Sequence, residues 1–273
     1  MKSNYSHSHP LVSIVTVVFN GRAHLQETID SVRRQTYPNI EYIVVDGGST
    51  DGTVDILQEN DETLDYWRSE PDKGIYNAMN KGISMATGEI IGLVNADDAI
   101  YPDALVNVVE ALNSVPDAGF ACAPVDLATE DGSIFGRIRT LSDAEVHTQM
   151  YRVMAFPHPG MYVRRQVYER LGGYDESYKI SADYEFLLRL LENYVPYVRI
   201  KTSTGYFRTG GASGRLKVFI EMRRVLQKHG LPKWFVEYRF YFSLVKFAFR
   251  KGLPEIVFKF LQRFRKHSSI EFN

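Results

Sequence analysis

The 273 residues contain one cysteine, Cys122. A single thiol excludes an intrachain disulfide and any metal centre built on a cysteine cluster, and it fits a reducing compartment. The chain also lacks the run of roughly 20 mostly apolar residues that a membrane-spanning helix needs. Its most aromatic stretch, Trp234 to Phe249, is broken by Glu237, Arg239 and Lys246. The first ten residues are polar and carry no apolar core of a secretory signal. A cytoplasmic protein is expected. No internal repeat or low-complexity segment occurs, and His7, His9, His24, His147, His229 and His267 form no cluster with ligand spacing.

Net charge is nearly absent as well: 32 basic and 33 acidic side chains leave −1. That balance conceals a division. Residues 1–214 hold 18 basic and 29 acidic side chains, whereas residues 215–273 hold 14 and 4. A split of this size predicts two parts with different partners. Nucleic acid is not expected, because the larger part is acidic and no binding motif is present.

Hydrophobic residues make up 44% of the chain, an ordinary globular share with ample material for a core. Leu11 to Phe19 is β-branched and almost wholly apolar, which predicts a strand buried on both faces. Leu25, Ile29 and Val32 mark an amphipathic helix that closes before Pro38. Ile40 to Val45 reads as a second buried strand, with Ser49 or Thr50 available to cap a helix around 54–58. A short strand at 64–68, a helix marked by Ile75, Met79 and Ile83, and a strand at 89–94 follow. Pro102 falls where the first turn of another helix is expected. Strands alternating with helices predict an α/β fold with a mostly parallel sheet. From 119 to 210 the pattern loosens into strand-like runs at 120–125, 133–138 and 160–163, with helices near 164–171 and 183–192. Gly210 to Gly214 reads as a hinge, which divides the chain into a flexible tail (1–10), a main domain (11–213) and a helical, basic, aromatic segment (214–273).

Ligands of such sheets bind beyond the carboxyl ends of the strands, where Phe19, Asp46 and Asp97-Asp98 all fall. Adjacent carboxylates leaving a buried strand repel one another. A hard divalent cation shared with substrate phosphates relieves this; a solvated turn with Asp98 or Asp103 capping the next helix is the plain alternative. Asp46-Gly47-Gly48-Ser49 offers a hydrogen-bond acceptor for a base or ribose beside glycines that admit close approach, or is an ordinary turn. Lys73 and Lys81 either neutralise a diphosphate or are solvated helix charges.

Four segments in order change the weighing: Ser13 to Gly21, Gln35 to Thr53, Asp72-Lys73-Gly74-Ile75-Tyr76-Asn77-Ala78-Met79-Asn80-Lys81-Gly82, and Asn95-Ala96-Asp97-Asp98. Together they resemble the family 2 glycosyltransferases over about residues 11–105, thinning through 150–213. The resemblance implies a GT-A-type nucleotide-sugar-binding domain and an inverting transfer in bacterial polysaccharide or glycolipid assembly. It implies a nucleoside-diphosphate-sugar donor, UDP-sugars being favoured, a saccharide or lipid-linked acceptor, and a divalent Mn²⁺ or Mg²⁺ ion. Val17, Phe19, Asp46, Asp72, Lys73 and Asp97 would lie on the donor side, with Phe19 flanking the base, Asp46 at its uracil-like edge and Asp97 facing ribose or metal. Asp98 would be the principal metal ligand. The family's Asp-x-Asp-like pattern is only partly kept, since Asn95-Ala96-Asp97 stands there and only the last two carboxylates match. The base position matches Asp183 in Ser181-Ala182-Asp183-Tyr184-Glu185, with Glu185 and Asp175 as competing carboxylates. His158, between Pro157 and Pro159, falls near the acceptor position.

Two other functions stay open. A sugar-phosphate nucleotidyltransferase would show a Gly-rich, Arg-containing loop after the first strand, where this chain has Phe19-Asn20-Gly21-Arg22. A non-catalytic nucleotide- or carbohydrate-binding scaffold would not need both Asp98 and Asp183. At the C-terminus, Val257, Phe260, Leu261 and Phe264 share one face of an expected helix at 254–266, opposite Lys259, Arg263 and Lys266. That pattern suits an anionic membrane surface, and equally a helix packed on the main domain or on a second copy.

Overall fold

The computed structural model describes residues 9–209, 217–252 and 270–272. The expected hinge at 210–214 and the expected helix at 254–266 lie outside the described residues. Chain order runs β1 (Val12–Val18), α1 (Leu25–Arg33), β2 (Ile40–Asp46), α2 (Thr53–Glu59), β3 (Tyr66–Ser69), α3 (Ile75–Met85), β4 (Ile90–Asn95), β5 (Ala99–Ile100) and α4 (Ala104–Ser114). It continues with β6 (Phe120–Cys122), β7 (Val125–Ala128), β8 (Ile134–Ile138), α5 (Asp143–Gln149), β9 (Met161–Arg164), α6 (Arg165–Leu171) and α7 (Ala182–Glu192). Last come β10 (Tyr197–Arg199), β11 (Gly205–Arg208), α8 (Lys217–Lys228), α9 (Lys233–Gly252) and β12 (Ile270–Phe272).

Seven strands form the main sheet in the order β10-β6-β9-β4-β1-β2-β3. Only β9 runs against the rest, pairing antiparallel with β4 and β6. β1 sits near the centre, parallel to β2 on one side and β4 on the other, and all seven of its residues are buried. This is why it reads as one continuous apolar run rather than an alternation. Val15 and Val17 face a core completed by α3, α6 and α7; Val12, Ile14 and Val18 face a core completed by α1, α2 and α4. A Cβ on Gly82 would meet Val15 Cγ1 at 2.2 Å, so α3 lies against β1 at a distance only glycine permits. A smaller sheet, β12-β8-β7-β11-β5, stands beside the carboxyl edge of the first.

Several local expectations are revised. The run at 120–125 is two strands, β6 and β7, that belong to different sheets. Pro102 precedes α4 rather than starting it, and Asp103 accepts a hydrogen bond from Thr36 Oγ1 at 2.9 Å instead of capping the helix. Neither Ser49 nor Thr50 caps α2; Asp51 Oδ1 receives the Thr53 amide at 3.0 Å. The C-terminal helices do pack on the main domain: Val225 and Leu226 of α8 and Val236 of α9 are buried in the core shared with α7.

Candidate active site

Parallel pairing brings three strand ends together. Val18 is level with Asp46, and Val17 is level with Asn95. Beyond them opens a cleft of about 700 Å³, whose walls include Val17, Phe19, His24, Asp97, His158, Lys179 and Asp183. Phe19 is 65% exposed at its mouth, an aromatic face free to stack on a base. Val17 is buried and forms part of the floor.

The adjacent carboxylates point in different directions. Asp98, expected as the metal ligand, is 2% exposed and turned into the protein. Its Oδ1 accepts the Arg208 amide at 3.2 Å and its Oδ2 accepts from Asn95 Nδ2 at 3.0 Å. Burial, with Asp97 alongside, pushes its pKa up to about 8. Asp97 faces the cleft, and no other described residue donates a hydrogen bond to its carboxylate. Although Asp97 is exposed to the cleft, desolvation by the surrounding walls raises its pKa above the ordinary carboxylate range. Arg208 of β11 anchors the turn: its guanidinium donates to Asp97 O at 2.7 Å and pairs with Glu27 at 2.6 Å.

Asp46 is also turned inward. Its carboxylate accepts from the amides of Gly48 and Ser49 at 3.1 and 2.9 Å, from Ser69 Oγ at 2.6 Å, and from the Ser49 hydroxyl. It therefore shapes the loop and presents no free edge to a base. Asp72 is better placed for that contact. Its Oδ1 accepts the Gly74 amide at 2.6 Å, while a Cβ on Gly47 would meet its Oδ2 at 2.5 Å and the Phe19 ring at 3.4 Å. Glycine at 47 thus lets Asp72 and the Phe19 ring close on the same backbone. Lys73 is exposed outside the cleft, and the lysine in the cleft wall is Lys179, whose Nζ donates to Lys73 O at 2.7 Å. Lys81 pairs with Glu70 at 2.8 Å.

Asp183 stands in the first turn of α7 and opens into the cleft. Its Oδ1 accepts the Tyr184 amide at 2.8 Å and lies 3.1 Å from the Tyr76 hydroxyl, which lies 2.7 Å from Ile180 O. Oδ2 has no hydrogen-bond partner among the described residues and remains available for a proton. His158 shares this end of the cleft, its Nε2 2.8 Å from the Tyr174 hydroxyl. Burial lowers the His158 pKa, although the Asp183 charge opposes this, so the ring is held toward its neutral form.

The competing carboxylates are occupied elsewhere. Glu185 is fully buried between Arg189 at 2.9 Å and Lys228 at 2.7 Å. Asp175 pairs with Lys228 at 2.8 Å; against the cost of burial, that ammonium and the Ser177 amide bring it to about 2. Glu185→Gln should therefore leave turnover within a few-fold. It should cost about 1–3 kcal/mol of stability in urea unfolding, since Lys228 is half exposed but Glu185 is not. A dead but fully stable Glu185→Gln would place the base there instead.

A divalent ion fits this site only as one shared with substrate. Among the described residues no group of three or more His, Cys, Asp or Glu side chains forms a cage. Asp97, open and unpaired by other described side chains, would supply the single protein carboxylate that suffices when phosphate oxygens and water fill the remaining positions.

Reading the sequence missed Lys179, Tyr76 and Arg208. Lys179 lies four residues before Asp183, close enough to have been weighed with it. Tyr76 lies within the third motif. Arg208 leaves no trace in any motif.

The comparisons with known proteins agree with this geometry. The model of Glycosyl transferase family 2 matches residues 13–172. An uncharacterized glycosyltransferase of Mycobacterium tuberculosis is 35% identical over 233 residues, covering 81% of this chain and 85% of that protein. A PGL/p-HBAD biosynthesis glycosyltransferase of Mycobacterium bovis is 30% identical over 192 residues, covering 67% and 71%. Among solved structures, Staphylococcus aureus TarS 1-349 in complex with UDP aligns with TM-score 0.62 at 16% identity, over 84% of this chain and 69% of that one. The mannosyltransferase PcManGT of Pyrobaculum calidifontis, in complex with GDP-Man and Mn²⁺, aligns with TM-score 0.61 at 21% identity, over 83% and 65%. The mostly parallel sheet and its flanking helices match these GT-A structures, and with 160 of its 273 residues inside the family model the chain belongs to glycosyl transferase family 2.

Proposed function

We propose that the protein is an inverting, metal-dependent glycosyltransferase that moves a sugar from a nucleoside-diphosphate sugar to an acceptor hydroxyl. The observation that carries the reading is the placing of Asp183, with Oδ2 unengaged, in one cleft with Phe19 and Asp97. The nucleotides bound by TarS and the mannosyltransferase support the donor class, and the Mn²⁺ of the latter supports the ion. The relative named for PGL/p-HBAD biosynthesis supports a biosynthetic role, here proposed as polysaccharide or glycolipid assembly.

In this reading the base stacks on Phe19, Asp72 meets its edge, and Asp97 with Lys179 faces the diphosphate. A bound divalent ion would neutralise charge on the departing diphosphate. Asp183 Oδ2 takes the proton of the acceptor hydroxyl, whose oxygen bonds the anomeric carbon from the face opposite the leaving group. The bond to the nucleoside diphosphate breaks in the same displacement, so the anomeric centre inverts. Thermal-shift titration with UDP-, GDP- and dTDP-sugars, with and without Mn²⁺, tests the donor side. Metal-dependent stabilisation by one base class is expected, and its absence for all three would contradict the reading.

We also propose that α8 and α9 bring the enzyme to an anionic membrane at the cytoplasmic face. No described helix is long and apolar enough to cross a membrane. On α9, Trp234, Tyr238, Tyr241 and Val245 share one face, and Trp234 and Tyr241 are 73% and 61% exposed. Trp and Tyr favour the boundary between headgroups and acyl chains, and residues 215–273 carry the basic excess. Co-sedimentation with phosphatidylserine vesicles should be strong at low salt, weaken at high salt, and drop several-fold in Trp234→Ala/Tyr241→Ala. No binding at low salt, with a dimer in analytical ultracentrifugation that this variant dissociates, would make the face a contact between copies.

A further inference from the structure

Glu221 belongs to α8, in the basic C-terminal segment, yet its carboxylate reaches into the catalytic cleft's wall. It is nearly buried, and three consecutive backbone amides donate to it: Lys179 N to Oε1 at 2.9 Å, and Ile180 N and Ser181 N to Oε2 at 2.8 and 3.0 Å. These amides lead directly into α7, whose first turn carries Asp183. The start of a helix leaves its N–H groups without intrahelical partners and carries partial positive charge, which favours a carboxylate there. Ser181, at the head of α7, makes no side-chain cap of its own. Asp183 of the first turn accepts the Tyr184 amide, and a residue 40 positions after Ser181 accepts the amides at and just before the head of the helix.

Each anchored residue bears on the reaction. Lys179 lines the cleft. Ile180 presents the carbonyl that lies 2.7 Å from the Tyr76 hydroxyl, and the same hydroxyl lies 3.1 Å from Asp183 Oδ1. Ser181 is two residues before the base. We propose that Glu221 is a positioning residue that fixes the 179–183 segment, and with it Asp183, so that the C-terminal helices complete the active site. This rests on Asp183 as the base. Glu221 itself touches neither donor nor acceptor.

The docking of α8 does not depend on Glu221 alone, which makes the idea testable. Lys228 pairs with Glu185 and Asp175, His229 Nδ1 lies 2.6 Å from Glu192 Oε2, and Val225 and Leu226 are buried in the shared core. Glu221→Gln should therefore stay folded while losing charge and presenting an N–H group toward amides that need acceptors. Glu221→Asp keeps the charge on a shorter arm. Lys228→Met weakens the same helix contact away from the 179–181 amides and serves as the control.

Two measurements on the full-length chain decide the matter. The first is hydrogen exchange of the 179–181 amides, which requires no substrate. Glu221→Gln should speed it at least tenfold, and Lys228→Met should not. The second is nucleoside-diphosphate release from whichever of UDP-, GDP- and dTDP-glucose, -N-acetylglucosamine, -mannose or -rhamnose the parent turns over fastest. A misplacement near 1 Å costs up to about 10²-fold, so kcat should fall about 10- to 100-fold in Glu221→Gln, with partial rescue in Glu221→Asp. Because Glu221 acts through the base, adding Glu221→Gln to Asp183→Asn should cost little more than Asp183→Asn alone. Unchanged exchange at 179–181, or kcat losses that follow melting temperature equally in Glu221→Gln and Lys228→Met, would overturn the proposal. An active Asp183→Asn would instead overturn the base assignment, and that result is separable because the exchange measurement does not involve Asp183.

Discussion

Asp183→Asn should bring transfer down by about 10²- to 10⁴-fold, the usual contribution of a positioned general base, while nucleotide affinity stays within about twofold. The amide is isosteric, and its oxygen keeps the contacts to the Tyr184 amide at 2.8 Å and the Tyr76 hydroxyl at 3.1 Å. What disappears is the ability of the second oxygen to accept a proton. Single-turnover rates with parallel nucleotide titrations separate the two effects. Loss of donor affinity together with turnover would point to a structural role for Asp183. Retention of near-parental turnover would remove it from the mechanism.

Asp97→Asn should lower transfer by about 10²- to 10³-fold and remove activation by Mn²⁺. Asp97 is the carboxylate of the pair that opens on the cleft, and Arg208 would still hold its backbone carbonyl at 2.7 Å. Asp98→Asn should be much milder. The Asp98 carboxyl is 2% exposed and turned away from the cleft, where it accepts from the Arg208 amide and Asn95 Nδ2. Initial rates across a Mn²⁺ titration for both variants check the pair. If Asp98→Asn loses metal activation and Asp97→Asn keeps it, the inward-facing carboxylate is the ligand after all.

The first half of the fold was legible because its signals are local. A strand buried on both faces shows as an apolar run, as in Val12–Val18, and an amphipathic helix shows its spacing, as in Leu25, Ile29 and Val32. Parallel strands then put Phe19, Asp46 and Asp97 on one edge without any knowledge of side-chain direction. Direction itself was not legible. Which of two neighbouring aspartates faces the cleft depends on Arg208, whose amide reaches Asp98 from 110 residues away. Asp46 is withdrawn from the cleft in part by Ser69 on β3, and the Glu221 contact likewise joins distant parts of the chain. Helix α5 is a different kind of miss: Ser142 and Glu145 form a capping box that was readable at the right spacing. The short strands β5, β10 and β11 carry too few residues for a period to show, since tertiary pairing fixes them.

The most direct test of donor chemistry is product analysis with a panel of UDP-, GDP- and dTDP-sugars in the presence of Mn²⁺. The expected result is release of one nucleoside diphosphate matched by sugar transfer, with an anomeric configuration in the product, read by proton NMR, opposite to that of the donor. Retained configuration, pyrophosphate exchange with a sugar phosphate, or binding of donors with no turnover of any would contradict an inverting glycosyltransferase built around Asp183.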